Sequence, residues 1–165
     1  DESKCSIALH IRRGDTADPV LKQTGTRGIQ KDDNPNIMHS CLPTSWFKRI
    51  TESIIEKEVG EKPYEIHVYT EKRHSEDVVE CFQNIEHCTL HIGEPFVRDF
   101  KNIIHCNHII MSNSGMSTLA GYMSLHSKKY YHPNPHSPQS LPSPEYNVVF
   151  LEKGEKYEYE RPKQE

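Results

Sequence analysis

The sequence predicts an α/β domain built on a parallel sheet. Three observations carry that prediction. Short apolar runs rich in β-branched residues alternate with segments of helical period, the alternation persists from residue 6 to about 133, and a chain of 165 residues can bury a core that needs no metal or disulfide to fold.

Taken in order, "SIALHI" (6–11) is a compact apolar run that reads as a buried strand ending at Arg12. A polar stretch of about thirty residues follows, up to Cys41, against the ~4–6 residues of an ordinary connection; loops of that length carry function or move. "LPTSWFKRITESIIEKEV" (42–59) places Trp46, Ile50, Ile54 and Ile55 near a 3.6-residue period, with Thr44 or Ser45 as cap and Gly60 as stop, and so predicts an amphipathic helix. "YEIHVYT" (64–70) alternates as a strand does. "SEDVVECFQNI" (75–85) begins with a hydroxyl and acids before an apolar stripe, as a helix N-terminus should. "TLHIG" (89–93) is the next strand, "PFVRDFKNIIHC" (95–106) a helix opened by Pro95, "HIIMS" (108–112) a strand, "GMSTLAGYMSL" (115–125) a helix and "KKYYHP" (128–133) a strand. The order βαβαβαβαβ, with its right-handed crossovers, implies a Rossmann-like three-layer αβα domain over residues 1–135. The Pro/Ser-rich "HPNPHSPQSLPSPEY" then breaks regular structure. Residues 136–165 are expected to be that loop and a charged tail, with "NVVFLE" as a last short strand and fraying from Lys153.

Composition narrows the function. Net charge is -4 and the pI is near 6.3, so the chain has no general attraction for nucleic acid or an anionic membrane. No apolar run approaches the ~20 residues of a membrane span, and "DESK" is not a signal peptide. A strand that starts so near residue 1 is what part of a longer chain looks like, and any membrane attachment belongs to a segment outside this sequence. Five cysteines without CxxC spacing read as reduced thiols, with Cys81 and Cys88 able to pair only in an oxidising compartment. With no Asn-x-Ser/Thr sequon, the thiols point to the cytoplasm. The histidines and cysteines around "HCNH" (105–108), His87, Cys88 and His91 match no closed ligand spacing, and no metal is expected.

Ligands of open parallel sheets sit beyond the carboxyl ends of the strands, where helix N-termini converge. Two stretches fall on that edge. "HIRRGD" leaves the first strand with the adjacent guanidinium groups of Arg12 and Arg13, suited to a phosphate or diphosphate, and with Gly14 to turn the backbone. The plain alternative is a surface pair bound to Asp15 and Asp18. "MSNSGMST" (111–118) leaves a strand and opens a helix. The N–H groups of Ser114, Gly115 and Met116 and the side chains of Ser112, Asn113, Ser114 and Ser117 are anion ligands in one reading and an ordinary Ser/Asn cap in the other. Both stretches suit one anionic ligand, and a nucleoside diphosphate is the natural occupant. The tripeptide Arg13-Gly14-Asp15 also suggests a cell-adhesion signal, but adhesion needs an exposed loop tip and this one adjoins a buried strand.

His10-Ile11-Arg12-Arg13-Gly14-Asp15 resembles the HxRRGD motif of the α-1,2-fucosyltransferases, glycosyltransferase family 11. The resemblance continues in order over residues 6–135. "LPTSWFKRI" is similar to the family's LPxxYY helix start, "HVYTEK" to its FSDD strand end, "DFKNIIHCNHIIMSNSGMSTLAGYMS" to its long C-terminal motif and "KKYYHPNP" to its closing strand. Two positions differ: Ser117-Thr118-Leu119 replaces an S-W-W aromatic pair, and Tyr69-Thr70-Glu71-Lys72 replaces FSDD.

The resemblance implies the C-terminal, GDP-fucose-binding half of a GT-B glycosyltransferase, with an N-terminal acceptor-binding half outside this sequence. It implies inverting transfer of fucose to a glycan hydroxyl in α-1,2 linkage, without a metal or other cofactor. It assigns Arg12 to the β-phosphate and the leaving diphosphate, Arg13 to the loop or a second phosphate contact, and His10 and Asp99 to the guanosine. Ser114 and Gly115 fall in the phosphate turn. Asp15 and Asp18 are the local candidates for a base, with Arg12 and Asp15 as the catalytic pair. Eukaryotic members of the family work in the Golgi lumen, the alternative to a cytoplasmic location. Two further readings stand beside transfer: a nucleotide-sugar or glycan-binding module that has lost it, and the adhesion module.

Overall fold

The computed structural model describes residues 4–14, 41–132 and 146–155. Six parallel strands form one sheet: β1 (Cys5–Ile11), β2 (Tyr64–Thr70), β3 (Cys88–Ile92), β4 (His108–Met111), β5 (Lys128–Tyr131) and β6 (Tyr146–Val148). Their spatial order is β3-β2-β1-β4-β5-β6, so the chain builds outward from β1 to one side, then crosses to β4 and builds to the other. β1 is paired on both edges, Ile7 lying beside Ile66 and His108 and Leu9 beside Val68 and Ile110. A strand so placed needs apolar side chains on both faces, which is why "IALHI" reads as a continuous run with little alternation.

Helices α1 (Thr44–Ile54) and α2 (Glu76–Phe82) cover one face. Their Trp46, Phe47, Ile50, Ile54, Val78 and Phe82 form a single cluster with Ile7, Leu9, Ile11, Ile66 and Val68. Helices α3 (Phe96–Ile103) and α4 (Gly115–Met123) cover the other, where Ile103 and Ala120 join Ala8, Tyr69, Ile109 and Met111. The three-layer Rossmann-like arrangement expected from the sequence is the one formed. Among the described residues no helix is long and apolar enough to cross a membrane.

Local departures from the expected elements have physical causes. Neither Thr44 nor Ser45 caps α1; the cap position is Pro43 and no side chain bonds there, because the Thr44 hydroxyl is engaged by Arg13 and Asp77. The helix also does not run on to Val59 unchanged. Residues Ile55–Val59 widen into a π turn closed by Gly60, whose N–H meets the Ile55 carbonyl at 2.9 Å and whose φ is 61°. An unbroken 3.6-residue period would direct Glu58 inward after Ile54; one extra residue per turn buries Val59 and leaves Glu58 to accept from the Tyr130 hydroxyl at 3.0 Å.

The sheet does not stop at residue 135. β6 pairs in parallel with β5, and Val149 and Leu151 pack against the α1-side core. Of the tail expected to fray from Lys153, Glu155 is held to α1 by Arg49, and residues 156–165 lie outside the described residues. Trp46 donates to the Val149 carbonyl at 3.3 Å, and Arg49 donates to the Phe150 carbonyl at 2.9 Å and to Glu155 at 2.9 and 3.1 Å. Arg49→Ala is expected to speed amide exchange at Val149 and Glu155 selectively and to cost about 1 kcal/mol of stability, since the group lies partly in solvent.

Candidate functional site

The carboxyl ends of β1, β2 and β3 and the starts of α3 and α4 enclose a cleft of about 350 Å³. His10 and Arg12 enter it from β1, Thr70 and Glu71 from β2, Phe96 and Asp99 from α3 and Met116 from α4. This is the edge where a doubly wound sheet receives its ligand.

Arg13 points away from the cleft into the protein. Its side chain is 1% exposed, and its donors are met by Asp77 at 2.7, 3.2 and 3.3 Å, the Thr44 hydroxyl at 2.8 Å and the carbonyls of Arg12 and Leu42 at 2.9 and 3.1 Å. A buried guanidinium is tolerated only when its donors and charge are both answered, and here they are. These contacts tie the end of β1 to the starts of α1 and α2; a second phosphate contact would need Arg13 to leave this setting. For the same reason the adhesion reading fails: a receptor cannot reach an arginine enclosed under α1 and α2. The expected partners Asp15 and Asp18 lie outside the described residues, and among the described residues the ion-pair partners of Arg12 and Arg13 are Glu71 and Asp77.

Arg12 lies at the rim, 29% exposed, in an ion pair with Glu71. Gly14 makes the turn possible with φ 56°, and a Cβ there would come within 3.2 Å of the Glu71 side chain. The Gly14 N–H bonds to the Arg73 carbonyl at 3.0 Å, so the turns after β1 and β2 are joined main chain to main chain.

The hydroxyl turn is used mostly by the protein itself. Ser114 caps α4 by accepting from the Ser117 N–H at 3.2 Å, and its own N–H is bonded to the Ser112 carbonyl at 2.9 Å. Ser112 is buried, accepting the Arg12 N–H at 2.8 Å and donating to the His10 carbonyl. Ser117, 1% exposed, accepts the Ser112 N–H at 3.2 Å and lies 2.6 Å from His10 Nδ1. These bonds lace the end of β1 to the β4–α4 turn. Of the turn residues predicted to face an anion, Ser112, Asn113, Ser114, Gly115 and Ser117 do not line the cleft, though Gly115 is exposed with open space around its Cα. Among the described residues the cleft brings together His10, Arg12 and Asp99 from the predicted set.

Electrostatics separates these three. Burial pushes the His10 imidazole down to about 4, so it is neutral near pH 7 and presents a dipole rather than a charge. Asp99 is 7% exposed, and burial, reinforced by Glu94, raises its carboxyl to about 6 in spite of Arg98 and the α3 N-terminus. Its Oδ1 and the Thr70 hydroxyl are buried without a hydrogen-bond partner among the described residues. Two unsatisfied polar atoms in one cleft are costly to the protein alone and suited to a ligand that offers N–H or O–H groups.

Outside the cleft, two of the residues weighed for a metal are otherwise engaged. His108 Nδ1 lies 3.1 Å from the Tyr130 hydroxyl, and the buried Cys106 thiol, raised to about 11 by burial, donates to the Asn102 carbonyl at 3.4 Å. Among the described residues no group of three or more His, Cys, Asp or Glu side chains is placed to hold a metal ion. Cys81 and Cys88 are not joined in a disulfide.

Sequence reasoning did not find Thr70 or Asp77. Thr70 is a strand-end threonine like many others. Asp77 reads as a first-turn acid placed for the helix dipole; nothing local shows that it faces Arg13, 64 residues away. Glu71 stood in the sequence only as a difference from the FSDD motif.

No family model matches the chain, and no curated protein does. Among solved structures, the E. coli ADP-heptose LPS heptosyltransferase II is similar, with a TM-score of 0.57 and 15% identity over 94% of this chain. At that identity the likeness is one of fold. The chain spans 41% of the heptosyltransferase's length, so its parallel six-stranded sheet corresponds to part of a GT-B glycosyltransferase.

Two outcomes follow from this geometry. Arg13→Ala is expected to cost about 3 kcal/mol, lowering Tm by about 10 °C, because Asp77 is left without its partner. The Arg13→Ala/Asp77→Ala double variant should lose less than the sum of the single changes in denaturant titration. Asp99 behaves oppositely. Its folded value of about 6 against an ordinary 3.8 means that the stability it contributes is full below about pH 4 and lost as pH rises through 6. Asp99→Asn should therefore raise Tm by about 3 °C at pH 7.5 and give no gain at pH 4.

Proposed function

We propose that the chain is the donor-binding half of a glycosyltransferase that takes GDP-fucose and passes fucose, with inversion and in α-1,2 linkage, to a glycan hydroxyl. The observation that carries this reading is the cleft itself: Arg12 at its rim, a neutral His10, and the unsatisfied Oδ1 of Asp99 within it. The fold likeness to a glycosyltransferase supports it, as do the motifs similar to those of the α-1,2-fucosyltransferases.

In this reading Asp99, ionised, accepts the N–H groups of a guanine edge, and His10 contacts the nucleoside. Arg12 binds the β-phosphate. As the acceptor oxygen attacks the anomeric carbon, the bond from that carbon to the phosphate oxygen breaks and the electron pair leaves with the diphosphate. Arg12 stabilises the charge that develops there, which removes the need for a metal. The acceptor hydroxyl gives its proton to a base, for which Asp15 is the candidate by sequence position.

The acceptor is held by a second half. The apolar side chains that α3 and α4 leave in solvent, Phe96, Val97, Leu119, Tyr122 and Met123, are the surface we assign to it. A module that binds GDP-fucose without transferring it is the second reading, favoured by Thr118-Leu119 where the resembled family has an aromatic pair.

Titration calorimetry with GDP, GDP-fucose, UDP and ADP in EDTA tests the proposal. Binding of the two guanosine ligands, and its loss by at least about tenfold in Arg12→Ala, is the expected result. Equal affinity in Arg12→Ala would remove the phosphate assignment.

A further inference from the structure

The strand-end residue Glu71 makes two contacts that a ligand would otherwise compete for. One carboxylate oxygen bonds to Arg12 Nη1, and the other accepts the Arg13 backbone N–H at 2.7 Å. Its aliphatic stem lies over Gly14, whose missing Cβ leaves the room. A guanidinium and a main-chain N–H beside a left-handed glycine make up a small anion receptor, and phosphate oxygens are its usual guests.

We infer that Glu71 is an intramolecular anion that occupies the Arg12 receptor and must be displaced before a nucleoside diphosphate can engage it. The inference rests on the reading of the cleft as a diphosphate site. Glu71 lines the same cleft as Arg12, His10 and Asp99, so ligand phosphate and carboxylate contend for one place. Release needs only the side chain to turn. The main chain around it stays fixed by the Gly14 N–H on the Arg73 carbonyl at 3.0 Å and by the Gly93 N–H on the Thr70 carbonyl at 2.9 Å. The carboxylate is already 27% exposed, so it has water to turn into. The fit selects for charge: a ligand bearing a diphosphate brings enough charge and oxygens to replace a carboxylate, whereas a nucleoside brings none.

The test is the affinity of GDP, and of guanosine as the control lacking phosphate, for the wild-type chain, Glu71→Gln and Glu71→Asp, by calorimetry. Glutamine keeps the length and an acceptor for the Arg13 N–H but removes the charge, so GDP should bind about tenfold more tightly while guanosine is unchanged. Aspartate, one methylene shorter, reaches only one of the two donors and should give an intermediate gain; it carries the test if Glu71→Gln does not fold. GDP binding that is measurable in the wild type and equal or weaker in both variants overturns the clamp and leaves the diphosphate site standing. Tighter guanosine binding by the same factor would place the effect away from the phosphate and overturn it too. If GDP binds neither the wild type nor either variant, the diphosphate reading fails and the clamp fails with it.

Discussion

Arg13 is the constraint on which the candidate site depends. Its guanidinium sits in the protein interior, and among the described residues Asp77 on α2, Thr44 at the start of α1, the carbonyl of Leu42 just before it and the Arg12 carbonyl answer it. A charge removed from water demands full coordination. Meeting that demand draws the turn after β1, the entry to α1 and the start of α2 to a single point. Arg12, the neighbour along the chain, is thereby left at the rim of the cleft, and Gly14 supplies the turn between the buried charge and the surface. Two adjacent arginines thus stand in opposite settings, one buried as a strut and one at the rim paired with Glu71.

The strut has consequences for helix construction. Thr44 would ordinarily cap α1, yet its hydroxyl is turned to Arg13 and Asp77, and the helix begins at Pro43 without a side-chain cap. A cap is worth ~1 kcal/mol, whereas an incompletely met buried charge costs several. The hydroxyl goes where the larger penalty would fall. The same ranking explains the serines after β4, where Ser112 and Ser117 are drawn into bonds with the backbone and ring of His10.

Within this rigid frame the cleft keeps groups the fold alone leaves poorly served. The carboxyl of Asp99 is buried beside Glu94 and shifted upward, the imidazole of His10 is held neutral, and the hydroxyl of Thr70 has no partner. His10 is held by Ser117, whereas Asp99 Oδ1 and the Thr70 hydroxyl are unanswered among the described residues. Polar atoms left unsatisfied at the carboxyl edge of a parallel sheet, next to a guanidinium, cost the fold stability.

The sheet and most of its helices were legible from local pattern, because a strand paired on both edges must be apolar throughout and a helix lying on it must repeat every 3.6 residues. β2 and the course of α1 as far as Ile54 follow from those periods directly. The last strand was legible as "NVVFLE", one residue out of place at its start; the docking of Glu155 on Arg49 was less so, since it depends on a surface built more than a hundred residues earlier. The site divides in the same way. The sequence by itself determined that two arginines and a hydroxyl-rich turn lie on the ligand edge, because strand ends and helix starts are local features. Only the tertiary structure decided that Arg13 is buried, that Ser112 and Ser117 serve the protein, and that Glu71 meets Arg12. Each of those is a pairing between residues 59 to 107 positions apart, settled by which charge can escape water least cheaply and which strand end lies beside it.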